Sequence, residues 1–151
     1  MADDEALYRE LRPDLERVSS PLFELAQQHV RKRGAFLPFG ATLNRSGEFA
    51  LHDATTGEDF VSGVEVLPLL HAGLRRAGAE ADVLAVAVCE WVKITPSGSS
   101  QTDAIKVLVE HVRGLTIAFY VPCGRRLLGG WQFREAVARS AAPEVQPWLR
   151  M

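Results

Sequence analysis

A chain of 151 residues with 47% hydrophobic and 24% charged residues is long enough for one domain to bury about two thirds of its unfolded surface, so neither a metal nor a disulfide is needed to staple it. A net charge of -2 gives no reason to expect nucleic acid as a partner, and no apolar run reaches the roughly 20 residues that span a bilayer, so no membrane partner is expected either. The acidic start Asp3-Asp4-Glu5 lacks the basic and apolar segments of a secretory signal; a cytoplasmic location is the expectation, with Cys89 and Cys123 as thiols and Asn44-Arg45-Ser46 as an unused glycosylation match.

Residues 3 to 33 carry a helical stripe, Leu7, Leu11, Leu15, Val18, Leu22 and Leu25. Pro13 and Pro21 interrupt it, and Ser20-Pro21 reads as a cap followed by proline at the first helical position. The regular helix is therefore expected from Pro21 to Arg33, closed by Gly34, with Arg31, Lys32 and Arg33 complementing the helix dipole. Phe36 to Asp53 alternates as a hairpin, and matching its apolar sets pairs Leu43 with Phe49 across Arg45-Ser46-Gly47. Gly40 marks a bulge or a close neighbour. The polar segment His52 to Asp59 fits neither a calcium nor a zinc spacing, so no metal is assigned to it.

Ser62-Gly63-Val64-Glu65 reads as a capping box opening a helix to about Ala77, with Val64, Leu67, Leu70, His71 and Leu74 on its stripe and Gly78 as its stop. Pro68 lies too deep for the first turn, so the helix either kinks there or becomes regular near Leu67. Val83 to Thr95 is apolar on both parities, which requires cover on both faces. After the polar loop 96–102, Asp103 to Val121 forms a hairpin. A three-residue loop pairs His111 with Leu115, Val109 with Ile117, Val107 with Phe119 and Ile105 with Val121, and Gly114 supplies its left-handed position. A final helix is expected from about Gly130 to Ala142, carrying Trp131, Val137 and Ala138. Residues 1–13 and 143–151 are expected as loosely packed ends of the single domain.

The reading is an α+β domain with an antiparallel five-stranded sheet in the order α-β-β-α-β-β-β-α. That order resembles the roadblock, longin and profilin-like folds, and the resemblance implies a dimerising adaptor or regulatory scaffold rather than an enzyme. No residue motif of those families is matched, so no functional residue is carried over.

Among chemically interesting residues, Glu90 and His111 are the polar members of apolar strand faces. Pairing Ile94 with Asp103 sets Glu90 opposite Val107 and His111 opposite Val86, about 13 Å apart, too far for an acid–base couple. His111 is then expected near solvent at a strand end. Cys123 has Arg125 and Arg126 beside it, and with Arg113 they form a candidate anion or small-molecule site with no cofactor implied. Lys106, Glu110, Tyr120, Trp91 and Lys93 are expected together on the second sheet face, with Trp91, Tyr120 and Lys106 as candidate interface residues. The leading expectation is a non-catalytic protein-association domain, a homodimer. The alternatives are a small-molecule or anion sensor or minor enzyme at Cys123, Arg125 and Arg126, and an immunity-type protein.

Overall fold

A computed structural model describes residues 2–54, 63–80 and 82–148. Among these, the chain forms two helices, α1 (Ala2–Arg33) and α2 (Gly63–Gly78), and seven strands: β1 (Phe39–Asn44), β2 (Phe49–His52), β3 (Val83–Ile94), β4 (Thr102–His111), β5 (Thr116–Arg125), β6 (Trp131–Phe133) and β7 (Val137–Ser140). They make one open antiparallel sheet in the order β2-β1-β3-β4-β5-β6, with β7 also on β5.

The α+β class with an antiparallel sheet stands, but three details of the expected order do not. First, α1 is continuous through both prolines. Each proline costs about 3 kcal/mol in a helix interior. The carbonyls they leave unpaired, four residues back, belong to the exposed Arg9 and Arg17, where water can replace the lost bond. Against that cost, Leu11, Leu15, Val18, Leu22, Ala26 and Val30 are all buried on one stripe. Second, the expected helix from Gly130 to Ala142 is replaced by β6 and β7, which take up the outer edge of β5. Gly129 and Gly130 both have positive φ and turn the chain back onto that edge. The expected five strands become seven, and the final helix on which the resemblance by element order rests is absent. Third, β3 and β4 pair one residue away from the expected register, with Ile94 opposite Thr102 and Glu90 opposite Lys106.

That single step decides what each face carries, because successive residues point to opposite faces. Ala85, Ala87, Cys89 and Trp91 lie on the face covered by α1, with Val107, Val109 and Ile105 beside them. Val86 and Val88 lie on the other face, under α2 and the C-terminal segment, in a second core with Leu70, Leu74 and Val145. Trp91 and Lys93 are therefore on the opposite face from Lys106, Glu110 and Tyr120, not with them. Both hairpin registers agree with the alternation: Leu43 faces Phe49, and Val109 faces Ile117. Gly47 and Gly114 occupy their turns at φ 84 and 92.

The helix α2 begins before Pro68 and runs through it; Val64, four residues earlier, is 84% exposed and lies off the buried stripe of Val66, Leu70, Leu74 and Gly78. Ser62 of the capping box and residues 55–59 of the acidic segment fall outside the described residues. The close neighbour at Gly40 is real: a Cβ there would stand 2.5 Å from the Ala87 carbonyl oxygen and 2.9 Å from Leu74 Cδ1. At Gly73 nothing lies within 4 Å.

The C-terminal segment is held by a buried carboxylate. Glu110 is 3% exposed and accepts backbone N–H bonds from Glu144 (3.1 Å), Val145 (2.7 Å) and Gln146 (2.8 Å). Gln146, at φ 53, is the one described non-glycine residue with positive φ, and it completes this three-donor nest. Val145 and Pro147 are buried as a result, and Trp148 packs on the second core.

Two substitutions test this packing. Glu110→Ala strands three donors and should release residues 144–148, lowering stability by about 2 to 4 kcal/mol. Denaturant titration reads the loss, and hydrogen exchange should show it first at Val145 and Gln146. Gly40→Ala drives a methyl into the Ala87 carbonyl and should cost about 1 to 3 kcal/mol by the same titration, whereas Gly73→Ala should not destabilise.

Candidate functional site

The strand β5 separates the residues expected to act together. Arg113 sits in the β4–β5 turn, where its guanidinium bonds Glu10 of α1 at 2.8 Å. Cys123, Arg125 and Arg126 lie at the far end of β5, about ten residues of extended chain away, roughly 30 Å. Cys123 is 2% exposed, its thiol donates to the Val121 carbonyl at 3.2 Å, and burial pushes its pKa up to about 11. The neighbouring arginines do not activate it: Cys123 is buried in the α1 core, and Arg125, on the same face of β5, is engaged over Trp131 instead. Burial likewise raises the Cys89 thiol, and both cysteines are free.

What does converge at that end of β5 is an aromatic cluster bordered by cations. Trp91 meets Phe36 at 5.9 Å and Trp131 at 5.8 Å between ring centroids. Phe36 and Phe39 meet at a tilt of 58° with centroids 5.5 Å apart, and His29 joins them at 5.8 Å from Phe39. Burial, followed by the charge of Arg33, holds His29 below its ordinary pKa. Arg125 lies over Trp131 at 4.9 Å and Arg31 over Phe133 at 5.0 Å, within cation–π range. The bend at Gly34 brings the last turn of α1 to this place: a Cβ on Gly34 would lie 3.4 Å from Arg125 Nη2 and 3.8 Å from Trp131. Sequence distance hides the cluster, since it joins residues near 30, 90 and 130.

The polar pair expected from the sequence is also rearranged. His111 is 3% exposed rather than solvent-facing. Its Nδ1 accepts the Arg113 N–H at 3.1 Å, so the neutral ring carries its proton on Nε2, which donates to Asp14 Oδ2 at 3.0 Å. The bond ties α1 to the end of β4. Glu90, on the other face, has its carboxyl pushed up by burial, with Lys106 opposing that shift. Lys106 Nζ stands 3.8 Å from Glu90 and 3.4 Å from Glu144, and His71 from α2 is close enough to act on Glu90 electrostatically. His71 Nε2 is buried with no partner among the described residues. This group is a packed ion cluster, and none of the clefts described below reaches Glu90 or His71.

The clefts are shallow. One of about 570 Å³ runs between the start of α1 and the β5–β7 edge, lined by Tyr8, Arg9, Arg12, Leu115, Ile117 and Arg139 among others. A neighbour of about 260 Å³ continues along α1 past Ser19, Phe23 and Phe119. On the α2 side of the sheet, a third of about 310 Å³ is lined by Ile94, Thr95, Pro96, Tyr120, Pro122 and Val137 with Ser97 and Arg139. Of the three candidate interface residues, Tyr120 is the one presented here; Trp91 is half-buried in the aromatic cluster, and Lys106 is engaged by two carboxylates. Among the described residues no group of three histidine, cysteine, aspartate or glutamate side chains is placed to hold a metal ion.

Thiol chemistry at Cys123 is directly measurable. In the folded protein near neutral pH both cysteines should label with a disulfide reagent at least roughly a hundredfold more slowly than in denaturant, since a thiol titrating near 11 is almost wholly protonated there. Rapid labelling of one thiol in the native state would show that Cys123 is reactive after all.

No protein-family model matches this chain, and no curated protein or solved structure matches it either.

Proposed function

We propose that this is a non-catalytic association domain, an adaptor or regulatory scaffold that pairs with a second copy of itself through the part of the α2-side sheet face that α2 leaves uncovered. One observation supports the reading above others. The helix α2 packs on β1, β2 and β3, and the C-terminal segment covers the Glu110 end of β4, which leaves the apolar side chains of Ile94, Tyr120, Pro122 and Val137 at a solvent-facing cleft. Val137 is 44% exposed there. A shallow, mostly apolar surface suits a protein partner better than a small ligand, which favours an enclosed site.

The catalytic alternatives lack an assembled centre. The Cys123 thiol is buried and protonated, and Glu90 and His111 lie on opposite faces of the sheet.

Sedimentation across a wide concentration range tests the pairing. Wild type should approach a dimer at high concentration. Tyr120→Asp and Val137→Asp, which alter only partly exposed positions, should weaken association by at least roughly a hundredfold while leaving the circular dichroism spectrum unchanged. A compact monomer at every concentration, with neither substitution having any effect, would sink the proposal.

A further inference from the structure

The cation-bordered end of the molecule carries two side chains that pack on nothing. Leu127 is 101% exposed and Leu128 is 93% exposed. They form the tip between β5 and β6, a turn closed by the Arg126 N–H bonding to the Gly130 carbonyl at 3.1 Å. Adjacent leucines at the apex of a hairpin cost solubility and return no packing to the fold. Their surroundings are strongly basic. Arg125 and Arg126 precede them, Arg134 follows β6, and Arg31, Lys32 and Arg33 close α1. These segments adjoin in space, because Gly34 abuts Arg125 and Trp131, and Arg31 lies over Phe133. Of the acidic groups near this end, Asp103 is matched by Lys93 at 2.8 Å, and Asp53 acts on His29 beside Arg33, so that with Glu135 two carboxylates stand against six cations.

We propose that this end docks peripherally on an anionic phospholipid surface, with Leu127 and Leu128 inserted at the boundary between headgroups and acyl chains and the six cations facing lipid phosphates. A leucine pair at an apex matches a soft apolar layer reached end-on, and a surrounding set of cations matches the negative potential above it. Nucleic acid would neutralise the cations and leave both leucines in water. An apolar protein pocket would accept the leucines and give the cations no counterpart. No described helix is long and apolar enough to cross a membrane, which bears on spanning and not on surface contact.

Co-sedimentation of the full chain with vesicles tests this, using phosphatidylcholine alone and phosphatidylcholine containing about one third phosphatidylserine. Wild type should be retained on the anionic vesicles and not on the neutral ones, and retention should fall as salt rises. The double variant Leu127→Ser with Leu128→Ser should lower the partition coefficient at least roughly tenfold, and Arg126→Glu should lower it too. Leu69→Ser, at a 52% exposed position on α2, should leave it unchanged. Equal retention on both vesicle types, no retention on either, or a leucine double variant that binds like wild type would each overturn the proposal. So would an absence of vesicle binding combined with a single-stranded oligonucleotide that binds wild type and double variant equally.

Discussion

The two unlike faces of β3 govern how the rest of the molecule is arranged. Towards α1 it presents Ala85, Ala87 and Cys89, whose small side chains let a long helix lie close to the sheet. Towards α2 it presents Val86 and Val88, whose branched side chains meet the leucines of a shorter helix. Close packing leaves little tolerance for exchanging the two sets, since a methylene added under α1 or removed under α2 is felt directly. The 32-residue span of α1 follows from the same constraint. A helix seated on β1, β3 and β4 gains enough buried stripe to continue through two prolines that would otherwise have ended it.

Two acidic side chains then fix what hydrophobic contact alone leaves adjustable. Glu110 gathers three backbone donors of the C-terminal segment, so that a short irregular stretch can serve as the cover a helix would otherwise provide. Asp14 accepts from His111 and sets where α1 lies along the strands. Glu110 and His111 sit next to each other on β4 and point to opposite faces, so the end of one strand anchors a layer on each side of the sheet.

Much of this scaffold was legible in the sequence. The hairpins at Gly47 and Gly114 follow from alternation plus a residue able to take positive φ, two signals that agree. The β3–β4 register was not legible, because its polar loop has no turn of fixed length and a shift of one residue exchanges the faces. Residues 130 to 142 misled for a different reason. Trp131, Val137 and Ala138 fall at spacings that fit a helical side, and the unpaired edge of β5, which captured them as strands, is invisible to a local pattern. The basic and aromatic end is the sum of three distant segments, none unusual by itself. Leu127 and Leu128 stood in plain view, but their near-complete exposure depends on a fold that leaves them beyond every packed layer.

The division of one edge between β6 and β7 bears on how the chain avoids pairing in the wrong way. A long strand with an open edge is a template for foreign strands, and uncorrected edges of this kind lead to fibrous aggregates. Here the outer side of β5 is filled by strands of three and four residues, leaving edges of that length instead of one ten residues long. Arg139 and Gln132 lie within those short edges, and a charged or polar side chain there resists a continuous apolar ladder. The same break that replaced the expected helix thus gives the sheet a blunted margin, one that offers little template for endless strand addition.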